Sequence, residues 1–315
     1  MLAEFKSLAD LDRAFPDENA CINHFRAIRW PEGKIACPHC GVISPKHYML
    51  KGNTHKCADP KCGKKFSVRK GSIFDSSKVP LKKWFIAIFL MTSHKKGISS
   101  CQLARDIGVR QKAAWFMLHR IRNATITEEF KAPLTGTIEV DEGFVGGNPK
   151  WKHANKRGTV LRGHAASKGK KVMFGMLQRG GDLRLAHVPD VRSATTKPII
   201  LANITPKSSV YTDEAQTYIW MRSEYRHRFV AHSLGEYVRD DVTTNRIENV
   251  FSHFKRSIVG VYHKASDRHL DRYLQMFAFR WNRRNMGEGE RVNALLKDAR
   301  GRRLTYKALT SKMAS

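Results

Sequence analysis

No stretch of this 315-residue chain approaches the ~20 consecutive apolar residues that a membrane-spanning helix needs. The longest apolar run, Trp84 to Met91, lies between lysine pairs, so no transmembrane helix is expected. Met1 to Phe15 mixes Glu4, Asp10 and Asp12 with Lys6 and Arg13. It has neither a continuous apolar stretch nor a small-residue cleavage site, which argues against a secretory leader and for a cytoplasmic, nucleoid-associated protein. Acidic residues are scarce: 28 Asp and Glu stand against 57 Lys and Arg, a formal net charge of +29. Such an excess points to a polyanionic partner, nucleic acid ahead of membrane surface, but does not separate DNA from RNA. Cysteines are few, six in all. Four of them pair at short spacing within one segment, which in a reducing compartment reads as metal ligation before disulfides.

What is present divides into regions of different texture. Apolar residues make up 41% of the chain, enough to bury a core, so disorder is not the default. Up to about Lys70 the sequence is rich in Gly, Pro and Lys and poor in long apolar periodicity. From Pro80 to about Ala124 the spacing turns helical, with Leu81, Trp84, Phe85, Ile88 and Phe89 recurring at steps of three and four. Beyond a linker at Lys131 to Gly136, short β-rich runs follow at Thr137 to Asp141, Lys171 to Leu177, Leu183 to Val188 and Ser209 to Tyr211. Long helical patterns start after Asn245, so an α/β domain is expected in the second half. No internal repeat is visible, and from Gly287 onward the chain reads as a weakly structured basic tail.

Cys37-Pro-His-Cys40-Gly and Cys57-Ala-Asp-Pro-Lys-Cys62-Gly are two tight turns separated by sixteen residues. Four thiolates so arranged suit a tetrahedral structural Zn2+ site with no open position for a catalytic water. A site in which His39 or His55 replaces a cysteine is the alternative. Cys21 and Cys101 lack partners at ligand spacing and are expected to be ordinary small buried residues.

Ser99 to Gln102 has the form of a capping box. Leu103, Ala104 and Ile107 then give a short amphipathic helix ending at Gly108, and Ala114, Trp115, Leu118 and Ile121 share a face of the next helix. Two short helices joined at a glycine, with Arg110, Gln111 and Lys112 opening the second, have the layout of a helix-turn-helix that places its second helix in a major groove. A plain helical hairpin packed on the core is the other reading.

Three carboxylates stand out. Along Thr137-Ile-Glu-Val-Asp141 the strand period puts Ile138 and Val140 on one side and Glu139 and Asp141 on the other, while Glu142 falls on the wrong parity. Seventy-two residues on, Val210-Tyr-Thr-Asp213 repeats an apolar strand ending in an aspartate, followed by Glu214. Two strands thus each present an Asp at or near a strand end, where ligands of α/β sheets gather. In the helix beginning at Asn245, the residues Ile247, Val250, Phe251, Phe254 and Ile258 form a core stripe. Asn245, Glu248, Ser252 and Lys255 form a polar one, which taken alone is also what a solvated face looks like.

These segments together, a strand Asp, a second strand Asp and a helical Glu thirty-five positions on with a Lys seven later, resemble the DDE (or DDEK) transposases and integrases. More narrowly, the chain resembles bacterial insertion-sequence transposases with an N-terminal zinc ribbon. The matching stretches are Trp30-Pro-Glu-Gly with Cys37-Pro-His-Cys40-Gly, Val140-Asp-Glu-Gly-Phe-Val-Gly-Gly147, Tyr211-Thr-Asp-Glu214, Gly235-Glu-Tyr-Val-Arg239, Asn245 to Arg256, and Phe279-Arg-Trp-Asn-Arg-Arg284. The resemblance implies a multidomain α/β chain: a zinc ribbon over 16–70, a helix-turn-helix module over 78–125, an RNase H-like mixed-sheet catalytic domain over 134–285, and the basic tail over 286–315. It implies that Asp141, Asp213 and Glu248 hold two Mg2+ or Mn2+ ions for strand cleavage and transfer at terminal inverted repeats. Carboxylates are the hard oxygen ligands such ions take, and phosphodiester chemistry uses ions of this kind. Lys255 and Arg256 are expected on double-stranded DNA, and a homo-oligomer is expected when ends are paired. Some relatives carry Asn where the third acid sits, so Asn245 on the same stripe stays a minor candidate.

Asn148 to Lys171 holds eight Lys or Arg, two His and Trp151 without an acid, the composition of a phosphate-contacting or merely solvated loop. His232 is a near-site candidate by resemblance only. Leu270, Tyr273, Leu274, Phe277 and Trp281 have the spacing of a core helix closing the sheet. Two other functions stay open, a DNA-binding regulator with a decayed catalytic domain and an RNase H-type nuclease.

Overall fold

The computed structural model describes residues 4–44, 46–126, 132–146 and 170–311. It divides into two compact units, one formed by Met1–Ile126 with Asn285–Ser315, the other by Thr127–Arg284.

The first unit opens with α1 (Leu8–Ala14) and α2 (Glu18–Arg29). Local chemistry starts both: Ser7 and Asp10 form a reciprocal capping box, and Asp17 accepts the amide of Ala20. Three short antiparallel strands follow, β1 (Tyr48–Leu50), β2 (Thr54–Lys56) and β3 (Lys65–Ser67), paired in that order. Then come α3 (Leu81–Ser93), α4 (Ser100–Ile107) and α5 (Gln111–Ala124). Ser99 caps α4 by accepting the amide of Gln102, and Gly108 ends it with φ 60°, a left-handed conformation that costs glycine little. Trp84, Phe85, Phe25 and Phe74 are fully buried, with Phe25 and Phe74 packed edge-to-face at 5.0 Å.

α3 has no side-chain cap of its own. Glu18 supplies one from α2, accepting the amides of Leu81 at 2.9 Å and Lys82 at 3.3 Å while it pairs with Arg69.

The C-terminal segment departs from expectation. In place of a weakly structured tail it holds α9 (Glu288–Asp298) and α10 (Tyr306–Thr310). Val292, Leu295 and Leu296 are fully buried. The high charge of the segment masked an i, i+3, i+4 apolar stripe that belongs to the first unit's core. Cys101 also differs: Cys21 is buried, whereas Cys101 is exposed because it lies on the opposite side of α4 from Leu103 and Ile107.

The second unit is a five-stranded mixed sheet in the order β6-β5-β4-β7-β8. The strands are β4 (Thr137–Val145), β5 (Lys171–Gln178), β6 (Leu183–Val188), β7 (Ser209–Asp213) and β8 (Arg226–Val230). β5 runs antiparallel to both β4 and β6, while β4, β7 and β8 are parallel. On one face lie α7 (Asn245–Ser257) and α8 (Asp267–Asn282), packed with Val145, Met173, Leu177 and Leu185 around Phe251 and Phe254. On the other, α6 (Ser193–Asn203) and a short 3-10 segment, Gln216–Ser223, cover Ile138, Val140, Phe174 and Met176. Leu270, Leu274 and Phe277 of α8 are core residues, with Tyr273 and Trp281 packed against them. The basic stretch at 148–171 falls almost wholly outside the described residues. Among those described, no helix is long and apolar enough to cross a membrane.

Candidate functional site

The parallel register between β4 and β7 matches Thr137 with Ser209 and Glu139 with Tyr211, an offset of 72 that carries Asp141 to the level of Asp213. Asp213 is the last residue of β7, but Asp141 is not at a strand end. β4 continues to Val145 because β5 pairs with it throughout. What ends near Asp141 is the pairing with β7, which stops at Glu139, so Asp141 and Asp213 stand just beyond the last paired residues of the two strands.

Glu248 approaches from α7, near enough for its charge to act on Asp141. Its Oε1 accepts the Thr244 hydroxyl at 2.9 Å. The Nε2 of His232 lies 3.8 Å from the same oxygen and 3.5 Å from the Thr244 hydroxyl, so His232, which spacing alone did not commit to the site, is beside it. The carboxyl of Asp141 is held well above the usual carboxylate range, first by burial and then by the like charges of Glu142, Asp213 and Glu248. Its Oδ1 accepts the amide of Glu142 at 2.7 Å, and Asp213 accepts the amide of Ala215 at 3.1 Å.

Glu142 is the residue that parity set aside. Its side chain does point to the other face, where the buried hydroxyl of Tyr218 donates to it. Burial, and then Asp213, nevertheless push it up to about 7 against that hydrogen bond. A carboxylate across the strand still acts through a few ångströms of low-dielectric interior, which a facing rule does not register. Glu214, in contrast, is tied to Ser233 through its amide and hydroxyl at 3.0 and 2.9 Å.

Asn245 lines a separate depression with Gln178, Asn249 and Arg284, and Glu248 is the member of that helix that acts on Asp141. Lys255 lies two turns farther along α7, about 10 Å by helical rise, and it is exposed beside Arg256, whose guanidinium donates to Ser252 at 3.3 Å. Arg110, Gln111 and Lys112 are exposed at the start of α5; Gln111 donates to the Ser100 hydroxyl and Lys112 sits over the Tyr306 ring.

In the first unit the ligand atoms of Cys37, Cys40, Cys57 and Cys62 all lie within 4.8 Å of one another, and among the described residues this is the one such group of three or more. The Cys37–Cys62 and Cys40–Cys57 sulfurs are 3.9 and 3.6 Å apart, too far for disulfides, and all four are free. A tetrahedron with Zn–S of ~2.3 Å has edges of about 3.8 Å, so the set fits a zinc ion. His39 and His55 are not part of it; His55 is buried and stacks on Phe66. The oxygens of Asp141, Asp213 and Glu248 do not all lie within 4.8 Å of one another; these carboxylates suit divalent ions by the chemistry of their oxygens and by the like charge on Asp141 that a cation would relieve.

Fold and sites together describe a two-unit α/β protein with a five-stranded mixed sheet in one unit and a four-cysteine group in the other. Residues 133–282 match the ISXO2-like transposase domain, and residues 16–65 match the transposase zinc-ribbon domain. The chain belongs with the insertion-sequence transposases that carry an N-terminal zinc ribbon. It is 29% identical over 280 residues to an uncharacterised protein of the transposable element ISH50 from Halobacterium salinarum, covering 85% of this chain and 92% of that one. It is 33% identical over 96 residues to an uncharacterised transposase-like protein of Haemophilus influenzae, covering 30% of this chain and 76% of that protein. A solved structure of the Mos1 strand transfer complex aligns with 12% identity over 68% of this chain and 81% of that one, at a TM-score of 0.19.

Proposed function

We propose that this transposase cleaves DNA at the terminal inverted repeats of an insertion sequence and joins the freed ends to target DNA, with Asp141, Asp213 and Glu248 holding two Mg2+ or Mn2+ ions. The observation that supports this reading is that Asp141 and Asp213 stand at one level of two parallel strands, and that Asp213 and Glu248 of α7 are both near enough for their like charge to raise the Asp141 carboxyl. When bound, the ions activate the attacking oxygen and stabilise the leaving one. The mixed sheet with α7 across it supports an RNase H-like reading of the domain.

The chemistry needs no oxidant and no nucleotide. Water attacks phosphorus at the element end, a P–O bond to the 3′ oxygen breaks, and the proton lost from water is balanced by the one gained on the new 3′-OH. That hydroxyl then attacks a target phosphodiester, one P–O bond replacing another. Lys255 and Arg256 contact phosphates beside the site, and α5 enters a major groove with Arg110, Gln111 and Lys112 at its leading end, the α4–α5 pair serving as a helix-turn-helix. A structural Zn2+ on the four cysteines shapes the ribbon for end binding. Two protomers pair two ends.

The test is a cleavage and joining assay on end DNA with Mg2+ or Mn2+. Asp141→Asn and Asp213→Asn are expected to lose both steps and keep end binding. Retained joining in both variants contradicts the reading, and cleavage of RNA–DNA hybrids without joining replaces it with a nuclease.

A further inference from the structure

Glu139, two residues before Asp141 on the same face of β4, is fully buried. A buried carboxylate needs partners, and its partners are all on the path to Glu248. One oxygen accepts Arg179 Nε at 2.8 Å; the other accepts the amides of Arg246 and Ile247, each at 3.1 Å. Those amides belong to the first turn of α7, whose N-cap Thr244 makes no side-chain cap hydrogen bond. β4 therefore provides the missing cap. Arg179 completes the clamp: it donates to the carbonyls of Asp241 at 2.8 Å and Thr243 at 3.3 Å and lies over the Tyr211 ring at 4.9 Å. Tyr211 in turn donates to Asp241.

We infer that Glu139 and Arg179 are positioning residues that fix the separation between Asp141 and Glu248, and thereby the divalent-ion affinity of the carboxylate site. The inference rests on the proposed role of those carboxylates as metal ligands. The geometry carries it: the strand bearing Asp141 and the first turn bearing Glu248 are joined through a single carboxylate, and the loop entering that turn is held by the same guanidinium. Without the clamp, α7 keeps its apolar packing but the start of the helix is free to fray, because its orphan amides lose their acceptor. Groups that hold metal ligands in place influence affinity by roughly 10–100-fold.

Glu18 with Arg69 makes the same kind of cap on α3, in the other unit, and serves as an internal control for a purely structural cap.

The experiment is direct Mn2+ titration of the full-length, zinc-loaded protein, reading free Mn2+ by electron paramagnetic resonance, with thermal unfolding in parallel. Glu139→Gln and the milder Arg179→Lys are expected to weaken Mn2+ binding roughly 10–100-fold, whereas Glu18→Gln lowers the unfolding temperature and leaves Mn2+ binding unchanged. In a Glu248→Gln background, Glu139→Gln is expected to add no further loss, since it acts through Glu248. Should Glu139→Gln fail to fold, Arg179→Lys carries the comparison. Binding within twofold of wild type in the folded clamp variants, or an equal further loss in the Glu248→Gln background, overturns the clamp while Asp141→Asn still abolishes binding. Indifference of Mn2+ binding to Asp141→Asn overturns the metal-site reading and the clamp with it.

Discussion

Asp141 pairs across the β4–β5 ladder with Gly175, and it is the missing side chain of Gly175 that lets α7 settle on the sheet at this level. A Cβ there would stand 2.8 Å from the Phe251 ring and 2.9 Å from Ile247 Cδ1, and Glu248 follows Ile247 directly. The glycine on one strand thus sets how near the helical carboxylate comes to the strand carboxylate on the next.

Gly175→Ala is expected to cost ~1–3 kcal/mol through overpacking and to reduce joining by more than that loss of folded protein explains, because α7 must lift. Thermal unfolding and the joining rate at saturating metal, taken on the same preparation, check this. A normal rate in a folded Gly175→Ala protein would show that helix height does not govern the site.

The cysteine cluster leads to a second prediction. Structural zinc in small modules contributes an apparent ~10–16 kcal/mol of binding free energy at neutral pH, and β1, β2 and β3 are only three residues each. Chelation, or Cys57→Ser, is expected to abolish amide exchange protection in those strands. α3, whose Leu81, Trp84 and Phe85 are fully buried, keeps its protection. Hydrogen exchange followed by mass spectrometry reads both, and unchanged protection of the strands after zinc loss counts against a structural metal.

A third prediction concerns pH. Burial, then the Arg222 charge, lowers His227 from 6.5 to about 4, while its Nε2 lies 2.9 Å from the Thr212 hydroxyl. The folded state therefore binds this proton less readily than the unfolded state. The stability His227 contributes is complete above pH 6.5 and is lost as pH falls toward 4. His227→Gln keeps a donor for Thr212 and removes the titration. Its unfolding temperature is expected to fall less than wild type's between pH 7 and pH 4, and parallel curves would rule this coupling out.

Much of the site could be read from spacing because period 2 and period 3.6 are local signals. Asp213 at the end of an apolar run, and the core stripe Ile247, Val250, Phe251 and Phe254 that orients α7, follow from neighbours a few positions away. The same holds for the two cysteine turns. What spacing did not give are the long-range relations. Glu139 reads as one more polar residue in an alternating strand until Arg179 and the amides of α7 arrive from 40 and more positions away. Glu142 has the wrong parity and still shares the electrostatics of the site. Asp141 reads as lying at or near a strand end because β5, its long antiparallel partner, is not visible from Thr137 to Asp141 alone. The helix α9 is hidden from spacing because charged residues interrupt its apolar stripe.

The central claim is that Asp141, Asp213 and Glu248 touch the ions that drive strand chemistry. The most direct measurement replaces Asp141 with cysteine and follows joining of end DNA in Mg2+ and in Mn2+. Thiolate is a poor ligand for the hard Mg2+ ion and a better one for softer divalent ions. The account predicts that Asp141→Cys is inactive with Mg2+ and regains joining with Mn2+, while Asp141→Asn stays inactive with both. Equal activity of Asp141→Cys in the two metals would contradict it.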